Sequence, residues 1–317
     1  MKKRFNIPRP KTEVLFEIEK HKKHKRTLLV FLIILVVTVT FLLAILLKPT
    51  SLHNVALIHI DGVLLSGEQE FTTGASFSDT IIRDIEDATK NKNIKAIIFE
   101  INSPGGSAVA AQEIGDTIKK AREKVLTVAL IRETGASGAY WVASSCDYII
   151  ASPMSITGSI GVIASYLEYS GLLERFNITY ERLVSGKYKD IGSPYKELTE
   201  DERRLLQNIL DQVYKSFVSE IKANRNLSQE QAESIADGMF YLGAQAKELG
   251  LIDALGSKKD AIKYIEEKKG IKASIREYKQ SYSLFPFSSM SLTAYWVGKG
   301  IGSSLVKHSL ENFKIIT

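Results

Sequence analysis

The residue most able to do chemistry in this chain is a serine with no histidine near it in sequence. Ser137 lies in ETGASGAYW, 31 residues after Gly106 of INSPGG. INSPGG (101–106) closes an apolar run of strand length and precedes a helical pattern. Paired glycines such as Gly105 and Gly106 let a backbone approach a substrate closely and turn N–H groups toward it. An oxyanion hole needs backbone donors of this kind, and a helix N-terminus adds partial positive charge. The plainer reading is a tight strand-to-helix turn. Ser137, with Gly138 after it, opens the next helical pattern, where a plain N-cap is the plainer alternative. The segment is not a nucleophile elbow, because GxSxG would require glycine at the position of Ala139.

A nucleophilic serine needs a base. The five histidines are His21, His24, His53, His59 and His308, and none falls between residues 60 and 307. Only His59 or His308 offers a histidine-based triad. A lysine amine can replace imidazole where burial disfavours its charged form. SGKYKDIGSP (185–194) is a Gly-, Ser- and Pro-marked loop with two candidates, Lys187 and Lys189, and spacing alone does not choose between them. HExxH, paired cysteines, GxGxxG and a phosphate-binding loop are all missing from the sequence, so no metal and no cofactor is expected. Cys146 is the only cysteine, which excludes a disulfide framework and suits a small buried hydrophobe.

The elements that would position these residues alternate. VALIHI (55–60), KAIIFEIN (95–102), VLTVALI (125–131) and DYIIAS (147–152) read as strands. Between them, residues 77–91, 108–124 and 137–146 read as helices. This succession implies βαβ crossovers, hence an α/β fold with a mostly parallel sheet. Thr199-x-x-Glu202 and Ser228-x-x-Gln231 are capping boxes that start further helices. Leu206, Ile209, Leu210, Val213, Phe217 and Ile221 form an apolar stripe behind the first box.

Ahead of this domain, residues 27–47 carry no charge, glycine or proline. At helical rise they would cover about 30 Å, the hydrocarbon thickness of a bilayer, which predicts a single transmembrane helix. HKKHKR (21–26) before it and Lys48 after it predict a cytoplasmic N-terminus and an extracytoplasmic catalytic domain at the cell membrane. A cleaved signal peptide is the rival, but the run is long for one and no small-x-small site follows. The expected layout is a basic arm (1–26), a transmembrane helix (27–47), a linker (48–54), a catalytic domain (55–279) and a C-terminal segment (280–317) of unassigned role. The net charge of +6 comes from the arm, which carries +7, so the rest is nearly neutral and no nucleic-acid partner is expected.

Four motifs in order, INSPGG, then ASGAYW with CDYIIASPMSITGSIGV, then SGKYKDIGSP, then DGMFYLGAQAKELGLIDALG, resemble the signal peptide peptidase A family of membrane-bound Ser–Lys peptidases. The similarity covers roughly residues 53–260 and is to the short, single-repeat members with one membrane anchor. It implies Ser137 as nucleophile, Lys189 rather than Lys187 as general base, and Ser159 as a hydroxyl that orients the lysine. It also implies that Gly105, Gly106 and Gly138 form the oxyanion hole. The implied fold is the Clp protease/crotonase-like spiral of ββα units. The implied partners are peptide substrates, namely cleaved signal peptides and other small or unfolded polypeptides, and further copies of the chain in a homo-oligomer with shared sites. Two rival functions come from other classes. One is a crotonase-type acyl-CoA enzyme, which shares the Ala246-to-Asp253 pattern but would find no coenzyme A outside the cytoplasm. The other is a membrane-anchored scaffold that keeps the fold without the activity.

Overall fold

A computed structural model of the chain describes residue 24 and residues 28–41, 53–68 and 74–278. The chain divides into two units between Leu52 and His53. In the first, the described part is a helix, α1 (28–41). Among the described residues no helix is long and apolar enough to cross a membrane. The expected transmembrane helix over 27–47 is therefore corrected, and with it the membrane attachment, the cytoplasmic N-terminus and the extracytoplasmic location. Residues 27 and 42–47 of that run, and the 280–317 segment with His308, lie outside the described residues.

In the second unit the chain runs β1 (Val55–Leu65), β2 (Ala75–Phe77), α2 (Ser78–Lys90), β3 (Ala96–Gly106), α3 (Ala108–Arg122) and β4 (Leu126–Ala136). It continues α4 (Gly138–Ser144), β5 (Tyr148–Ala151), β6 (Ile156–Gly158), α5 (Ser170–Arg175), α6 (Glu200–Arg225) and α7 (Gln229–Ser234). β7 (Phe240–Leu242), α8 (Gly243–Glu248), β8 (Ala254–Leu255), α9 (Lys258–Lys269) and β9 (Ile275–Tyr278) complete it. The strand order is β2-β1-β3-β4-β5-β8, with β9 also on β1 and β6 on the end of β4. These pairs are parallel, whereas β6 and β7 pair antiparallel. The parallel α/β sheet agrees with the Clp protease/crotonase-like arrangement, and among the described residues no membrane-crossing helix precedes it.

Side chains alternate across a strand, so one sheet has two cores. Ile58, Ile60, Phe99 and Ile131 face the cluster that holds α2, α3 and α4. Val55, Leu57, Ile98 and Val128 face Ala261 and Ile265 of α9. Both cores load the same strands, which is why the predicted strands read as continuous apolar runs. The pairings also shift register, between Asp61 and Val63 on β1 and between Ile101 and Ser103 on β3. Beyond these shifts the strand ends take new partners: Val63–Leu65 pairs with β2, and Thr134–Ala136 pairs with β6. The strand ends therefore form a second tier above the main sheet, where Gly105, Gly106 and Ser137 lie.

Both predicted capping boxes are present, Thr199 with Glu202 and Ser228 with Gln231. The apolar stripe behind the first is only half used. Phe217 and Ile221 are buried, but Ile209 is 57% exposed. The carboxyl half of α6 packs on α4, while its amino half has no comparable cover among the described residues.

Candidate active site

Ser137 sits between β4 and α4 with φ 53° and ψ −126°, a conformation that costs a non-glycine residue about 1–3 kcal/mol. Its neighbours hold it there. Its N–H donates to the carbonyl of Gly158 at 2.8 Å, and its own carbonyl accepts from Tyr140 and Trp141 at 2.9 and 3.0 Å. As an N-cap its hydroxyl would accept from the first turn of α4, yet it makes no such bond. The hydroxyl is half-buried on the wall of a cavity of about 720 Å3. Ser107 shows the contrast: it does cap α3, accepting from the N–H of Ala110 at 3.3 Å.

Gly105 and Gly106 end β3 against this turn with φ 97° and 153°. A Cβ on Gly105 would lie 2.7 Å from the amide nitrogen of Gly138, and one on Gly106 would lie 2.2 Å from the carbonyl oxygen of Leu64. Only glycine permits this approach. Buried Ser103 steadies the turn by accepting from the N–H of Gly105 at 3.1 Å. Gly106 and Gly138 both line the cavity, and so does Ser159. Ser159 also has a positive φ, 52°, and its N–H donates to the carbonyl of Met239 at 2.8 Å. Thr157 locks β6 to β4 by donating its hydroxyl to the carbonyl of Gly135 at 2.7 Å. The second tier of the sheet thus carries both serines on one wall.

Beyond the serines the lining is mixed, an apolar stretch set beside Asp237 and exposed backbone. Trp141 and Phe217 stack with ring centroids 4.9 Å apart, and Val162, Val213 and Tyr214 continue the lining. Sequence reasoning missed this wall, although Phe217 and Val213 belong to the stripe on α6. Asp237 is the charged residue at the rim, and its carboxylate accepts from the N–H of Met239 at 2.9 Å.

The structure brings together Ser137, Ser159, Gly105, Gly106 and Gly138, but not Lys189. Among the described residues no lysine or histidine lines the cavity. Lys189 is exposed in a turn of the segment before α6, and its amine makes no hydrogen bond or ion pair among the described residues. Lys187 is engaged: its amine lies 4.8 Å from the Tyr188 ring centre and 3.8 Å from Asp201. Tyr188 first, then Asp201, push the Lys187 amine above its ordinary range, the wrong direction for a neutral base. His59 faces Glu277 at 2.8 Å across the edge of the sheet, away from the cavity lining. Among the described residues no group of His, Cys, Asp and Glu could hold a metal ion. Cys146 is buried, and burial pushes its thiol up.

A family model described as peptidase family S49 matches residues 118–272, and one described as Clp protease matches residues 65–156. A protein of Methanocaldococcus jannaschii, provisionally named a protease, is 35% identical over 222 residues, 70% of this chain and 71% of the relative. One from Synechocystis, also provisionally named a protease, is 37% identical over 214 residues, 68% and 74% of the two chains. A protein of Enterococcus faecium, provisionally named the signal peptide peptidase SppA, is 32% identical over 248 residues, 77% and 70%. A cavity with a serine free of its capping bond on the wall, in a parallel α/β sheet with such relatives, is that of a serine-protease-like hydrolase, and the chain belongs to peptidase family S49.

Proposed function

We propose that the chain cleaves peptide bonds in extended polypeptides by acyl transfer to Ser137, with Lys189 as general base. The observation that carries this reading is Ser137 on the cavity wall, held in a strained turn with its hydroxyl free of its capping bond. The Ser137 oxygen attacks the carbonyl carbon and its proton passes to the Lys189 amine. The oxyanion accepts hydrogen bonds from the N–H groups of Gly106 and Gly138, with Gly105 shaping the turn. Lysine then gives the proton to the leaving amine, the C–N bond breaks, and an ester to Ser137 remains. Water attacks that ester, its proton passes to the lysine, and the Ser137 oxygen leaves to regain a proton. Ser159 orients the lysine amine.

Because no amine among the described residues lines the cavity, we infer that Lys189 is supplied by a second copy. The long exposed segment that carries it supports this: Ile163 is 89% exposed and Leu183 96%, more apolar surface than a free surface tolerates. The deciding measurement is turnover of a quenched fluorescent peptide by the parent, Ser137→Ala, Lys189→Ala, and an equal mixture of the two variants. Each variant alone is expected to lose about 1,000-fold or more, with circular dichroism unchanged. The mixture is expected to recover part of the parent rate. Parent-like turnover by Lys189→Ala would sink the assignment of the base.

A further inference from the structure

The segment between α5 and α6 exposes apolar side chains such as Leu183, while part of the charge around it is drawn in: Asp190 is 12% exposed, and Glu202 at the start of α6 is 5%. Those charges form a chain. Arg182 grips both carboxylate oxygens of Asp190, Nη2 at 2.7 Å and Nε through a second hydrogen bond. Lys196 lies 3.9 Å from the same carboxylate and 2.6 Å from Glu202. Glu202 also accepts from the N–H and hydroxyl of Thr199, at 2.9 and 3.1 Å, which closes the capping box of α6. Asp190 is the residue next to Lys189. The backbone around them turns repeatedly, Lys189 N–H to Gly186, Ile191 N–H to Tyr188 and Ser193 N–H to Asp190, with no helix or strand to stiffen it. Gly186 and Gly192, at φ 98° and 78°, bracket the lysine. Fixing such a backbone costs about 1–2 kcal/mol per residue, so a floppy loop would present its amine poorly.

We propose that Arg182, Asp190, Lys196 and Glu202 are positioning residues for Lys189, an ionic strut that fixes the lysine loop to the start of α6. The proposal rests on Lys189 being the base of the reaction given above. The strut reaches Lys189 through its backbone neighbour and leaves the amine itself free for transfer. A bidentate arginine–carboxylate pair suits this task because its geometry is directional, where a lysine would hold by charge alone. Arg182, with Lys196 adding its charge, holds the Asp190 carboxyl down at about 2, so the pair stays ionised across the range in which a peptidase is assayed. Glu202 is likewise held below its ordinary range, by Lys196 first and the Thr199 N–H second.

The test uses the full chain with Arg182→Ala, Arg182→Lys, Asp190→Asn and the exchanged pair Arg182→Asp with Asp190→Arg. Rates are taken per folded site, counted by burst titration with a fluorophosphonate that labels Ser137. Arg182→Ala and Asp190→Asn are expected to lower kcat about 10- to 100-fold with KM within about twofold of the parent, the penalty for a base displaced by about 1 Å. Their pH–rate midpoint is expected to move. Arg182→Lys recovers part of the loss, and the exchanged pair recovers more than either of its single changes. If Arg182→Ala and Asp190→Asn keep the parent kcat and pH profile per titrated site, the strut plays no part in positioning and the proposal is overturned. It is overturned equally if these variants lose only folded protein. Should Lys189→Ala retain the parent rate, it is the base assignment that fails, separately from these results.

Discussion

At the residue scale the site depends on backbone that only particular residues tolerate. Ser137 and Ser159 both adopt positive φ, at 53° and 52°, and each is held by a main-chain bond from its N–H. Strain of this kind persists where surrounding structure over-determines it. Gly105 touches the serine turn directly, since a methyl group there would strike the Gly138 nitrogen at 2.7 Å. Gly105→Ala is expected to reduce peptide turnover about 100-fold or more by spoiling the donor geometry, and to cost about 1–3 kcal/mol in urea unfolding. Parent-like turnover of this variant would mean that the Gly105 turn does not shape the donors. The motifs around these residues were legible in the sequence as glycine pairs at helix starts. What was not legible is that Ser137 is uncapped and Ser107 capped, since both stand before a helix and a sequence does not say where a hydroxyl points.

At the element scale, α4 and α6 form the apolar wall together. The Trp141–Phe217 stack joins them across 76 residues of sequence, and both rings are almost wholly buried. Trp141→Ala is expected to lose about 3–5 kcal/mol of stability, measured by urea denaturation, and to weaken peptide binding through the enlarged cavity. The helices were predictable, and both capping boxes formed where they were read, because caps depend on near neighbours. The use of each helix face was not. The apolar stripe of α6 reads uniformly from Leu206 to Ile221, yet only its carboxyl end has a partner in this chain. The ionic strut at the start of α6 makes a pH prediction of its own. Asp190 titrates at about 2 when folded against an ordinary 3.8, so its contribution to stability is fully present above the ordinary value and is lost as pH falls through the folded one. The difference in urea-unfolding free energy between the parent and Asp190→Asn is expected to be flat above about pH 4 and to shrink toward pH 2. A difference that stays constant through that window would contradict the pairing.

At the scale of the whole molecule, the apolar run ahead of the domain is where composition and structure part. Its composition is that of a membrane span, yet among the described residues no helix is long and apolar enough to cross a membrane. The predicted location therefore no longer argues against a crotonase-type acyl-CoA enzyme, and family membership does so instead. Among the described residues no amine reaches the cavity of Ser137. Sedimentation of the parent is therefore expected to show a self-associated species, and dilution below its dissociation constant is expected to lower activity per chain. Activity per chain that stays constant down to a species proven monomeric would show that one copy suffices.

The sequence by itself determined the alternating elements, the two helix starts with capping boxes, the glycine pair of INSPGG and the lack of histidine between residues 60 and 307, because each depends on local pattern and residue type. Tertiary structure alone decided that β6 folds back onto the end of β4, bringing Ser159 to the wall that carries Ser137, and that α6 lends Phe217 to the same cavity. It also decided that Lys189 stands outside that cavity. Those outcomes follow from register shifts and long-range packing, which join residues far apart in the chain and leave no periodic trace along it.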